Sequence, residues 1–187
     1  MRVFAALPFP DAAREQLRLY TASVAPAFNR ARPAWVAARN LHLTLHFFGE
    51  LDQRGVAALR ALLVDPATRC APLCIRTGAL SLLPSPRAPR VLYLAADIQP
   101  PEPLRHLVRS IREIAKELGA ETDVRPWRAH LTLARLKEPW APELSALPPP
   151  PVIDFALDAF DLMSSALRPG GPEYVRIERF ALGARAI

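Results

Sequence analysis

Between Leu41 and Glu50 the chain alternates: Leu41, Leu43 and Leu45 fall on one side of an extended segment, His42, Thr44 and His46 on the other. That is the period of a half-buried strand, with a leucine stripe for the core and a chemically specific polar stripe. The pattern returns over 129–136. There Leu131 and Leu133 repeat the apolar stripe and His130 and Thr132 the polar one, so that His-Leu-Thr-Leu occurs twice, 88 residues apart. Two of the four histidines therefore hold equivalent places. A duplicated strand that presents imidazole plus hydroxyl explains this better than chance.

Apolar spacing predicts the remaining elements. Residues 2–7 read as a strand ended by Pro8 and Pro10, and Asp11 can cap a helix to about residue 25, with Leu17 and Tyr20 or Val24 inward. Residues 34–36 form a short strand before the first motif. Asp52 can cap a second helix to about residue 64, where Val56, Leu59 and Leu63 recur at helical spacing. Strands follow at 74–82 and 90–96, then a helix over 103–118 with Leu104, Leu107, Val108, Ile111 and Ile114 inward and Gly119 as its stop. After the second motif a proline-rich connection leads to strands at 152–162 and 174–182, joined by a turn at 168–171. The order predicts an α+β fold: two pseudo-symmetric lobes of antiparallel sheet plus helices, each giving one motif strand to a central cleft.

Composition bounds this picture without changing it. At 187 residues, 51% hydrophobic and 22% charged, the chain suits one bilobal domain over 1–187. No apolar run reaches the roughly 20 residues that span a bilayer, so no membrane partner is expected. The opening ten residues are too short and too soon broken by proline for a signal peptide. Cys70 and Cys74 alone build neither a disulfide framework nor a four-ligand zinc site, so the expected setting is a reducing cytoplasm. A monomer is expected. Net charge is +6 but uneven: residues 1–95 carry 12 basic and 5 acidic side chains, residues 96–187 carry 12 and 13. A basic half suggests a polyanionic partner, although 22 of the 24 basic residues are arginine, which codon composition alone can produce.

The paired motif narrows the chemistry. Two imidazoles near neutral pH can hold complementary protonation states, one a base and one an acid. In-line displacement at phosphorus needs that pair on opposite sides. Thr44 and Thr132, each two residues along from its histidine, point the same way and can donate to non-bridging phosphate oxygens. No metal or other cofactor is required by this arrangement. A zinc site on His42 and His46 is rejected, because Leu43 stands where a zincin helix has glutamate and a strand separates the two by about 13 Å. His106, on the third helix, is assigned a structural role. His46 faces as His42 does but has no counterpart in the second copy, where Ala134 stands.

Two His-x-Thr-x motifs some ninety residues apart resemble the two-histidine (2H) phosphoesterase superfamily, and within it the RNA 2′,3′-cyclic phosphodiesterases, also known as 2′-5′ RNA ligases. The resemblance runs from Arg2–Leu7 through Trp35-Val36 and 41–50 to His130–Arg135, and ends with the segment from Ser165 to Tyr174. It implies a bilobal fold with a central cleft and hydrolysis of RNA 2′,3′-cyclic phosphate ends, or cyclic nucleotides, to 2′-phosphates without metal. Some relatives also join RNA ends through a 2′-5′ bond. It implies His42 and His130 as catalysts, with His42 the acid beside O3′ and His130 the base on water; the basic N-terminal half argues mildly for the reverse. It places Thr44, Thr132 and Arg135 on the phosphate. Departures are His46, where a basic residue is frequent, and Ala129, where proline is usual. Strict alternation turns Arg135 away from the cleft, so its role requires the strand to end or bulge near Ala134. Arg128 lies on the face of His130 as a substitute or helper. Phe47 is read as core, with stacking on a base as its other possible role. Other readings are the same machinery on a 2′-5′ oligonucleotide or ADP-ribose cyclic phosphate, and an RNA-binding module without catalysis.

Overall fold

The computed structural model describes residues 1–120, 126–168 and 171–183. Strand β1 (Arg2–Pro8) buries Val3 to Leu7 without interruption, as a strand covered on both faces must. Helix α1 (Asp11–Val24) follows, burying Ala13, Leu17, Tyr20 and Val24. Asp11 is its first residue rather than its cap, which falls on Pro10 and forms no side-chain bond. After β2 (Pro33–Trp35) comes the first motif strand, β3 (His42–Glu50). Helix α2 (Gln53–Arg69) is capped as expected, Gly55 N–H donating to the Asp52 carboxylate at 2.7 Å. It continues past residue 64 with Pro66 inside it, because Pro66 and Ala67 extend its buried face.

Strands β4 (Leu73–Leu83) and β5 (Val91–Gln99) pair antiparallel, and α3 (Pro101–Glu117) buries all five residues that its spacing predicts. Gly119 stops it with φ +65°, a conformation that glycine adopts without a Cβ penalty. The second motif strand is β6 (His130–Leu136). The expected strand over 152–162 is instead two, β7 (Asp154–Leu157) and β8 (Ala159–Arg168), broken at Asp158. Strand β9 is Gly171–Ala181; Pro169 and Gly170 of the expected turn lie outside the described residues.

All strands join one curled antiparallel sheet in the order β7-β4-β5-β6-β3-β1-β8-β9, with β2 also on β6. The break at Asp158 has a topological reason: β7 pairs with β4 in one half, β8 with β1 in the other. The two lobes are therefore not successive stretches of chain. The half that holds β3 is completed by the C-terminal strands, and the halves meet where Leu43 pairs with Leu131. Helices α2 and α3 pack on each other, α2 also against β8 and β9, α3 against β3 and β5. The leucine stripes of both motif strands are fully buried, leaving their histidine faces to the cleft. No described helix is long and apolar enough to cross a membrane.

Candidate active site

The two motif strands share one irregularity. Opposite β3, Ala5 pairs with His46 and Ala6 with Thr44, so Leu45 has no partner of its own. Opposite β6, Leu92 pairs with Ala134 and Tyr93 with Thr132, leaving Leu133 over. Each strand thus bulges three residues after its histidine. A bulge sets two residues against one and reverses the facing of all that follow. In both copies the sequence of burial is the same: histidine and threonine half-buried, two core residues in succession, then one exposed residue and one buried.

Three expectations are decided by this. Arg135 turns out to the cleft, the facing that the role implied by the resemblance requires. His46 does not face with His42; the bulge sends it into the core, 5% exposed, with its ring 5.0 Å from that of Phe48. Phe47, expected in the core, is 59% exposed and lines the cleft at the position equivalent to Arg135.

The cleft holds a cavity of about 170 Å³ bordered by His42, Thr44, His130, Thr132, Arg135 and Phe47, so the four motif residues and the arginine implied by the resemblance come together. His42 Nδ1–H donates to the Asn40 carbonyl at 2.6 Å, and His130 Nδ1–H to the Arg128 carbonyl at 2.9 Å. A carbonyl only accepts, so both rings carry hydrogen on Nδ1 and present Nε2 for chemistry. Nε2 of His42 lies 3.1 Å from Thr44 Oγ1. Each imidazole also meets a tyrosine ring edge-on, His42 with Tyr174 at 5.4 Å and His130 with Tyr93 at 5.7 Å.

The symmetry stops at the electrostatics. Burial pushes the His42 pKa below the ordinary imidazole value; the bond to Asn40 opposes this, and the positive charges of Arg14 and His130 add to it. Burial raises the Tyr174 phenol while the Arg135 charge opposes it, which places that guanidinium beside the ring packed on His42. Arg128 is exposed and reaches His130 through its carbonyl, not its side chain.

Several residues at the cleft were given no site role by sequence reasoning. Asn40 is 7% exposed; besides its carbonyl bond, its side-chain amide donates to Pro172 O at 2.8 Å, holding the start of β9 at the cleft. Trp127 Nε1–H donates to Thr44 O at 2.9 Å, tying the approach to β6 onto β3. Arg39 and Trp35 border the cavity. Asn40, two before a motif histidine, and Trp35, within the stretch that carries the resemblance, had a signal in the sequence; Trp127 and Arg39 had none. Among the described residues no group of three or more His, Cys, Asp or Glu gathers as a metal site would need. The donors at the cleft are imidazole, hydroxyl and guanidinium, a set that attracts an anion.

A curled antiparallel sheet whose two central strands each present histidine and threonine across one cleft defines the two-histidine phosphoesterase class. Within it, the chain belongs to the 2′-5′ RNA ligase superfamily, whose family model matches residues 9–168. It is 33% identical to the RNA 2′,3′-cyclic phosphodiesterase of Thermus thermophilus over 97% of this chain and 90% of the relative. To that of Escherichia coli it is 34% identical over 97% and 96%. Among solved structures it is similar to TT0787 of Thermus thermophilus (30% identity, TM-score 0.83, all of both chains). The crystal structure of E. coli LigT with 3′-AMP matches at 30% identity and TM-score 0.80, over 98% of each chain.

Proposed function

We propose that the protein hydrolyses 2′,3′-cyclic phosphate ends of RNA to 2′-phosphates, without a metal ion. The observation that carries this reading is the pair of imidazoles, fixed in the same tautomer on equivalent strands and bordering one cavity with a hydroxyl beside each. The activity named for the relatives above points the same way.

Water attacks phosphorus in line with O3′. His130, with Nε2 free, takes the proton of the water; the P–O3′ bond breaks, and His42 gives its Nε2 proton to the departing O3′. The product keeps its phosphate on O2′. Thr44 and Thr132 donate to the non-bridging oxygens, and Arg135 meets the charge that grows on them. Burial holds the His42 pKa down, and an anionic substrate beside the ring opposes this and favours the protonation that the acid role needs. An RNA 5′-hydroxyl in the place of water gives a 2′-5′ linkage by the same route. The exposed ring of Phe47 favours a substrate with a base beside the cyclic phosphate over ADP-ribose cyclic phosphate, whose reacting ribose carries none.

The test is turnover of 2′,3′-cyclic AMP in EDTA. A 2′-monophosphate product at undiminished rate is expected; loss of activity on chelation with recovery on adding a divalent ion would overturn the reading.

A further inference from the structure

A second cavity, larger than the catalytic one at about 410 Å³, opens beside α3. Trp127 and Ala129 border it, while His130 borders the catalytic cavity, so the stretch 127–130 is a wall common to both. Two bonds already described make that wall part of the catalytic geometry: Trp127 to Thr44 O, and His130 to Arg128 O.

Its lining is of two kinds. Ile98, Leu104 and Val108 provide an apolar floor, and Arg105 and Arg109, one helical turn apart on α3, provide a cationic rim with Arg112 beyond them. Arg105 pairs with Glu102 at the surface. Arg109 Nη2 donates to His106 Nδ1 at 2.7 Å, a contact that orients the guanidinium. The volume falls in the range, roughly 300–1,000 Å³, of sites for small organic ligands. A cationic rim over an apolar floor suits an amphipathic anion, and an indole in the wall selects a planar base. Paired guanidinium groups recognise phosphate oxygens by directed hydrogen bonds.

We propose that this cavity is a second site for a nucleoside phosphate, its base against Trp127 and its phosphate on Arg105 and Arg109, and that occupancy is felt at Thr44 and His130 through the common wall. The nucleotide comes either from the RNA substrate itself, upstream of its cyclic end, or from a free nucleotide. The proposal rests on the activity above only where turnover is the readout.

The test uses Arg105→Ala/Arg109→Ala, two exposed positions whose loss leaves the core intact, with Arg105→Lys/Arg109→Lys as the charge-retaining control. The first readout is independent of turnover: the indole N–H resonance of Trp127, identified with Trp127→Phe, is followed as 5′-AMP is added. A saturable shift in wild type, absent from the alanine pair and partly kept by the lysine pair, is expected. The second compares 2′,3′-cyclic AMP with a cyclic-phosphate-ended RNA hexamer. On the mononucleotide the alanine pair stays within twofold of wild type. If the RNA supplies the nucleotide, KM for the hexamer rises at least tenfold; if a free nucleotide does, the hexamer is unaffected and 5′-AMP alters wild-type kcat but not that of the alanine pair. An alanine pair that matches wild type in both the 5′-AMP titration and the hexamer KM overturns the proposal. A wild type that opens no cyclic phosphate refutes the activity instead, and the titration still decides the cavity.

Discussion

His42 and His130 share a tautomer and a strand position, yet in-line attack forbids them to share a role. The proposed assignment is tested with a substrate whose leaving O3′ is replaced by sulfur, a group that departs with little protonation. His42→Ala is expected to recover most of its rate on that substrate and His130→Ala to stay slow; recovery of His130→Ala would exchange the two. The pH profile carries a matching expectation. Burial lowers the His42 pKa, so the limb of kcat/KM that belongs to His42, the one His42→Ala removes, lies below the ordinary imidazole value of about 6.5. In kcat, measured with the phosphate anion already beside the ring, the same limb moves up. Thr44→Ala and Thr132→Ala each remove one hydrogen bond to a charged group, about 1.5–3 kcal/mol, or roughly ten- to a hundredfold in kcat/KM. Unchanged kcat/KM in a folded variant would take that hydroxyl off the phosphate.

The motif strands were legible to within a residue, and so was the stripe that each buries. What local alternation did not yield was the bulge, because an extra residue in one strand is defined by its partner, and β1 and β5 lie far off in sequence. A trace of it was present. Unbroken alternation puts Arg135 in the core with Leu131 and Leu133 and leaves Leu136 outside, an arrangement that burial of a guanidinium makes costly. The split at Asp158 was hidden for a similar reason, since β7 and β8 are both apolar enough to read as one strand and differ only in which half they join. The bulge separates residues that sequence alone would group. His46→Ala, on the core side, is expected to lower the melting temperature but leave KM for 2′,3′-cyclic AMP within about twofold, the size of a surface substitution. Arg135→Ala, one position on, is expected to leave stability unchanged and cut kcat/KM at least tenfold. A raised KM in the His46 variant, assayed well below its melting point, would return that ring to the cleft.

At the scale of the molecule the two halves are interlocked. The half containing His42 takes its outer strands from the C-terminus, after the chain has already built the other half. Neither half can close its core without the other's segment, so the two are expected to unfold together. Trp35 lies on β2 against β6, and Trp127 and Trp140 flank β6, so indole fluorescence reports chiefly the His130 half, whereas far-UV circular dichroism reports the whole. The two midpoints in urea are expected to coincide. Separate transitions would mean that the lobes fold independently.

Phe47 and Arg135 occupy one slot in two copies, and their difference settles a matter of direction. Two identical half-sites would accept a cyclic phosphate in either of two poses related by the dyad, and ring opening would then release O2′ as readily as O3′. A phenyl ring at one slot and a guanidinium at the other make the poses unequal, because only one sets the base against the ring while its phosphate meets the cation. For the proposed reaction, regioselectivity would then rest on this pair rather than on the two histidines. Exchanging them, Phe47→Arg with Arg135→Phe, is expected to turn the preference toward the 3′-monophosphate in an enzyme with both histidines intact, and chromatography of the products reads the ratio directly.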